Sequence, residues 1–244
     1  MFGFILAGVV LVFILYQFWY FHRKKKLARV TVFEERWRGL LLERSTFYKG
    51  LSDQERVLFE DGMLDFLSEV KITGVKTRVI WQDKVMVAAA GLTPIFHLGE
   101  TTYPNLTEVL IYPSSFNRDH QTTGDGRNIL GMVGSGYMTG TMILSKPQIH
   151  GAFHNSTDGR NTPIHEFMHL IDGWDGDTDG IPSSILEAPE TMPWIKLIES
   201  GIKAIKTGES SLDPYAATNS AEFFAVAGEY LFEKPERLKK DHPE

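Results

Sequence analysis

The pattern of apolar and polar positions divides the chain at once. Phe2 to Phe21 is almost wholly apolar, with Gln17 its one clearly polar residue. About 20 such residues span a bilayer as a helix. Tyr16, Trp19 and Tyr20 close the run, where aromatic rings favour the membrane interface, and Arg23, Lys24, Lys25 and Lys26 follow, with Arg29 just beyond. The pattern predicts one transmembrane helix over residues 1–22 that contacts the lipid bilayer through residues 2–21. The alternative is a buried helix of the globular part. A secretory signal peptide would carry its charge before a shorter run. Basic residues stay on the cytoplasmic side, so the expected topology is a single-pass inner (cytoplasmic) membrane protein with everything after residue 22 in the cytoplasm.

Beyond this run the periodicity shortens and becomes mixed. Residues 23–46 read as a basic juxtamembrane segment and residues 47–244 as one domain. Ser52-Asp-Gln-Glu55 is a capping-box pattern, and Val57, Leu58, Leu64, Phe66, Leu67 and Val70 give the helix after it an apolar stripe ending near Gly74. Thr77–Trp81 is β-rich. Lys84–His97 predicts a buried helix that Pro94 weakens. Thr107–Tyr112 and Tyr137–Ser145 predict strands. Thr162 as N-cap and Pro163 at the first helical position open a helix that Gly173 stops. A further helix is expected from Pro193 to Lys206, and another through Tyr215–Phe232. Helices interspersed with a few short strands make the fold class α+β.

Charge and composition narrow the function. The chain carries −6 overall and residues 1–29 carry +5, which leaves −11 on residues 30–244. So acidic a body argues against a nucleic-acid partner. There is no cysteine, so disulfides, thiolate metal sites and thiol nucleophiles are excluded, and a bound metal must be held by His, Asp or Glu.

Against that background, His165-Glu166-Phe167-Met168-His169 stands out. Its H-E-x-x-H spacing is a metallopeptidase signature. Residues four apart share a helix face, so both imidazoles can hold one Zn²⁺ ion. Glu166 sits where a carboxylate can take a proton from water. The bland alternative is a core helix with two incidental histidines. A catalytic zinc has three protein ligands, and the helix after Tyr215 offers two carboxylates, Glu222 and Glu229. Glu222 reads equally as N3 of a capping box opened by Asn219; Glu229 is the lesser ligand candidate. Asp172, three after His169, reads either as a partner orienting that histidine or as a helix-terminal turn residue. Asp175, Asp177, Asp179 and Gly180 mimic the start of a calcium loop, but the twelfth position would be Leu186, so an acidic surface loop is the better reading. His150 and His154, near Pro147 and Gly151, read as loop residues.

Three blocks resemble the Mlc titration factor A family of zinc metallopeptidases: Tyr48-Lys-Gly-Leu-Ser52, Pro163-Ile-His-Glu-Phe-Met-His-Leu-Ile-Asp172 running to Pro182, and Tyr215-Ala-Ala-Thr-Asn-Ser-Ala-Glu-Phe-Phe-Ala-Val-Ala-Gly-Glu-Tyr230. The resemblance covers most of residues 47–236. It implies a zincin-like fold of the gluzincin type, with a small mixed sheet and active-site helices. Carried over by position, it implies His165, His169 and Glu222 as ligands of one Zn²⁺, Glu166 as catalytic base and Tyr215 as a catalytic side chain. It further implies aminopeptidase-like hydrolysis of a peptide or protein substrate, for which Glu100 or Asp125 could hold the substrate ammonium. By analogy with zincin folds, Tyr137–Ser145 is the candidate edge strand for an extended substrate; the alternative is an ordinary sheet strand. The apolar N-terminal run is absent from soluble members of that family, and Met132–His154 matches weakly. The alternative function is a membrane-tethered regulatory protein that sequesters a cytoplasmic partner such as a transcription regulator, its zinc site structural or vestigial.

Overall fold

The computed structural model describes residues 30–154 and 159–242. The predicted membrane helix lies outside them. Among the described residues no helix is long and apolar enough to cross a membrane.

The elements run α1 (Glu35–Arg44), α2 (Thr46–Gly50), α3 (Asp53–Glu69), β1 (Lys71–Gly74), α4 (Trp81–Ile95), β2 (Glu108–Tyr112), β3 (Gly131–Val133), β4 (Thr141–Ser145), α5 (Lys146–Ala152), α6 (Thr162–Asp172), α7 (Ala188–Thr207), α8 (Ser220–Glu233) and α9 (Pro235–Asp241). The sheet order is β1-β2-β4-β3. The first three are mutually parallel and β3 runs antiparallel to β4 at the edge. Helices around a small mixed sheet make this an α+β architecture.

Local chemistry explains the boundaries. The expected capping box opens α3: the Ser52 hydroxyl accepts from the Glu55 N–H, and the Glu55 carboxylate accepts from the Ser52 N–H. α3 stops at Glu69 rather than running to Gly74, because β-branched Ile72 and Thr73 pair as β1 with Val109 and Leu110 of β2. Thr77–Trp81 forms no strand. Instead the Asp83 carboxylate accepts from the Ile80 N–H at 2.9 Å and starts α4 at Trp81. Pro94 falls in the last turn of α4 and is followed by a 3₁₀ turn, so its missing N–H interrupts little of the ladder. α7 begins five residues before Pro193, because Glu190 folds back to accept from the Glu187 N–H.

Two further expectations need correction. His150 is not a loop residue: Pro147 lies in the first turn of α5, where its missing N–H is harmless, and Gly151 falls in the last. His150 Nε2 is 2.7 Å from the fully buried Asp83, which also holds Lys146. Nor is Tyr137–Ser145 an edge strand. Gly136–Met138 is a 3₁₀ turn, and β4 is paired on both sides, to β2 and β3. The edge is β3, where the Gly-rich sequence hid the strand.

The main core lies between the sheet and α3, α4, α6 and α8. Phe167 of α6 packs edge-on against Phe66 of α3 and tilted against Tyr103. Gly91 of α4 lets these rings approach: a Cβ there would lie 2.8 Å from both Phe66 and Phe167. This packing fixes α6, the helix of the H-E-x-x-H motif, against the rest of the domain.

Candidate metal site

The two motif histidines project from one face of α6. The N-cap is Asn161 rather than Thr162; its side chain accepts from the Ile164 N–H at 3.0 Å. α8 supplies the third group. Asn219 caps it by accepting from the Glu222 N–H at 2.9 Å, but the Glu222 carboxylate does not turn back to complete a box. It faces His165 Nε2 at 2.9 Å and His169 Nε2 at 3.4 Å. The cap and ligand readings of Glu222 are therefore compatible: its backbone serves the helix and its side chain the histidines.

His165 Nε2 and His169 Nε2 lie 3.2 Å apart, and one ligand atom from each of His165, His169 and Glu222 falls within 4.8 Å of the others. Ligand atoms about 2.0–2.2 Å from a tetrahedral ion are roughly 3.3–3.6 Å from each other. The three separations, 2.9, 3.2 and 3.4 Å, are close to that spacing. Two imidazoles and a carboxylate form a His₂Glu donor set suited to Zn²⁺, so these residues fit the metal that the motif implies.

Surrounding groups aim these side chains. His165 Nδ1 is 2.7 Å from a Glu229 oxygen, whose second oxygen accepts from the Asn161 N–H. Glu233, one turn on, accepts from the Asn161 side chain at 2.9 Å and from the Gly159 N–H at 3.0 Å. Glu229 thus holds the far nitrogen of His165 and lies outside the His165–His169–Glu222 group, the position of a group that orients a ligand. The signal was in the sequence: a seven-residue step after Glu222 returns to the same helix face two turns on. Asp172 takes its turn role, both its oxygens accepting from the Gly180 N–H at 3.0 and 2.9 Å. Burial pushes the Asp172 carboxyl up to about 6, the Gly180 N–H pulling the other way. The acidic loop satisfies its own backbone: Asp175 accepts from the Asp177 and Ser183 N–H groups, and Asp179 from the Ile181 N–H.

The electrostatics follow from several charges in a small volume. Burial alone would lower His165, but hydrogen bonds to Glu222 and Glu229 outweigh it and raise the imidazole to about 10. Burial works to raise Glu222, yet its hydrogen bonds to His165 and His169 hold it far below the usual carboxylate range. Glu166 is only 7 % exposed and sits above the usual range, because burial dominates the opposing pull of the two histidines.

A cleft of about 610 Å³ opens onto His165 and Glu166, lined also by Gly131, Gln148, Arg160, Tyr215 and Glu229 among others. Gly131, on edge strand β3, leaves room for Glu166: a Cβ would lie 2.7–2.8 Å from its Cγ and Oε1, so the carboxylate would have to shift. Tyr215 sits in the 3₁₀ turn Pro214–Ala217, 53 % exposed, its ring centroid 6.0 Å from that of His165. Burial, then the Glu222 charge, raises its phenol. Neither Glu100 nor Asp125 is among the residues lining the cleft. Asp213 is, held by Arg160 at 2.8 Å.

The chain is similar to several known proteins. The family model described as glucose-regulated metallo-peptidase M90 matches residues 19–244. An uncharacterised protein of Synechocystis sp. is 29% identical over 254 residues, covering 98% of this chain and 90% of its own length. Mlc titration factor A of Cronobacter sakazakii is 30% identical over 211 residues, covering 80% of this chain and 77% of its own. That of Klebsiella pneumoniae (strain 342) is 30% identical over 204 residues, covering 71% and 74%.

Proposed function

Because this chain belongs to the glucose-regulated metallo-peptidase M90 family, we propose that it is a membrane-anchored, zinc-dependent metallopeptidase of the gluzincin type that hydrolyses peptide bonds, with aminopeptidase-like preference. The observation that carries the reading is the convergence of His165, His169 and Glu222, with His165 and the buried Glu166 lining one cleft. The anchor reading is supported by the apolar run at residues 2–21 and the basic residues after it. The domain division follows the same pattern: a transmembrane helix at 1–22, a basic segment at 23–46 and the peptidase domain at 47–244, facing the cytoplasm from the inner membrane.

His165, His169 and Glu222 would hold one Zn²⁺. When bound, the ion supplies Lewis-acid chemistry, polarising a water molecule and a substrate carbonyl. Glu166 takes the proton from the attacking water. Its raised affinity for protons suits a base that must then deliver that proton to the leaving amine. Tyr215, on the cleft wall, donates a hydrogen bond to the oxyanion that develops, an effect worth about 3 kcal/mol in comparable sites. Glu229 keeps the proton of His165 on Nδ1 and so leaves Nε2 as a donor to the metal. β3, the free edge beside Glu166, is the strand along which an extended peptide would lie. Asp213 replaces Glu100 and Asp125 as the acidic group for a substrate ammonium, since it lines the cleft.

A second reading rests on the relatives' printed name, which describes a factor that titrates Mlc. In it the chain is a tethered protein that sequesters a cytoplasmic regulator. One experiment separates the two. The purified chain and its Glu166→Gln variant are assayed for bound zinc and for cleavage of aminoacyl anilides and short peptides. About one zinc in both, with cleavage by the parent chain alone, is the expected result. Zinc without cleavage in either refutes the peptidase.

A further inference from the structure

We propose that the domain face where the chain enters at Val30 rests on an anionic lipid surface, an apolar groove there meeting the headgroup boundary. This rests on the membrane-anchored reading above. The groove has a volume of about 510 Å³ and is lined by Val30, Val32, Trp37, Ile72, Val79 and Trp81. Val32 is 67 % exposed. Trp81 is half-buried, with the Arg36 guanidinium 4.8 Å from its ring centroid.

Three observations select a lipid surface as the occupant. The first is reach. Only residues 22–29 separate Phe21, the end of the apolar run, from Val30 on the groove. Eight residues span at most about 28 Å, so this face cannot stand far from the bilayer that residues 2–21 would occupy. The second is charge. A body of −11 is repelled by anionic lipid, but Lys84 is exposed on the groove lining, and Lys76 and Arg78 are exposed on the connection from Ile72 to Val79; Lys71, also in the lining, is paired with Glu108 at 2.8 Å. The acidic residue in the lining, Glu34, is paired with Arg36. Aliphatic side chains, a tryptophan and lysines that can reach outward form the composition favoured at a membrane interface. The third is topology. The groove borders β1 and the catalytic cleft borders β3, the two outer strands of the sheet. Three strand spacings of about 4.8 Å part them, so a lipid surface at β1 leaves the cleft open to substrate.

The chain has no cysteine, so single probes can be placed at will. The full-length chain carries Val32→Cys, Lys84→Cys or, as an exposed control on α7, Lys203→Cys. Each is labelled with a fluorophore and reconstituted into phosphatidylcholine–phosphatidylglycerol vesicles containing a headgroup-level spin-labelled lipid. The expected result is quenching at Val32 and Lys84 at least about threefold that at Lys203, weaker without phosphatidylglycerol. Equal quenching at all three sites, in protein that stays with the vesicles through an alkaline wash, overturns the docking face and leaves the anchor standing. Protein released by the wash refutes the anchor, and docking with it. Labels at Val32 and Lys84 shielded from aqueous iodide but not quenched by the lipid would mean that residues 2–21 or another protein covers the groove, which also overturns the proposal.

Discussion

Replacing Glu229 by glutamine changes one atom and tests the logic of the site. In the parent chain one carboxylate oxygen faces His165 Nδ1 at 2.7 Å and the other accepts from the Asn161 N–H. Glutamine keeps the volume but has one acceptor and one donor. If its oxygen stays with Asn161, its NH₂ faces Nδ1. In the neutral imidazole, the form that can bind a metal, that ring nitrogen must then accept, and the single proton moves to Nε2, the atom that faces Glu222 and His169. If the amide flips, its NH₂ confronts the Asn161 N–H, two donors meeting where the buried N-cap of α6 is set. Either arrangement loses a charge-assisted bond between side chains only 12 % and 10 % exposed, which costs about 1.5–3 kcal/mol. Spent on ligand orientation, that is about a 10–100-fold loss of zinc affinity. Competition against a chromophoric chelator measures it, and circular dichroism of the metal-free protein checks that the fold survives. Zinc affinity within about twofold of the parent chain, with the fold intact, would refute the claim that Glu229 sets the tautomer of His165.

Glu166→Gln should bind zinc as the parent does and lose about 10²–10⁴-fold in kcat/KM on an aminoacyl anilide; retained activity sinks the assigned base. Gly131→Val should cut turnover by roughly 10²-fold with little change in melting temperature, because the new side chain displaces the Glu166 carboxylate rather than core packing; steady-state kinetics beside thermal unfolding separates the two effects. Glu60, nearly buried, is gripped by Arg38 at 2.7 and 2.8 Å and by the Tyr48 hydroxyl. Burial would raise it, but these bonds prevail and hold it below its ordinary 4.5. A depressed carboxyl stabilises the fold above its unfolded pKa, and that stability is lost as pH falls through the folded value. Glu60→Gln should therefore cost about 2 kcal/mol near neutrality and less toward acid; denaturant midpoints across that range check it, and a pH-independent difference would contradict it.

The parts of this site that sequence made legible are those set by local spacing. His165 and His169 share a face because four residues make about one helical turn, and Asn219 with Glu222 reads as a cap because capping is local. What stayed hidden depends on contacts between distant segments. Thr77–Trp81 has strand composition but pairs with no strand, while Lys71–Gly74, read as helix, pairs with β2. The three-residue edge β3 is invisible in a glycine-rich stretch, since its partner β4 and the close approach of Glu166 define it. Asp172 could equally have turned to His169 or to Gly180, and only the path of the loop decides. Glu229 lay within reach of sequence reasoning, because two carboxylates two turns apart can serve one imidazole at its two nitrogens.

The fold and the site share one register, and that is what couples them. Along α8, Glu222 meets His165 and His169, Glu229 meets His165 and Asn161, and Glu233 meets Asn161 and Gly159. Ascending α8 thus descends α6, so the two helices run antiparallel with carboxylates as the rungs. Their separation is set on another face, where Gly228 lets α8 close on Met168: a Cβ there would lie 2.6–2.7 Å from the methionine side chain. Sliding α8 by one residue, about 1.5 Å of rise and 100° of rotation, would break all three rungs and drive a larger side chain into Met168. Buried carboxylates that lose their partners are costly, so the packing energy that selects this helix pairing also selects the ligand geometry. Mutations that loosen α6 against α8 should weaken metal binding before they unfold the domain.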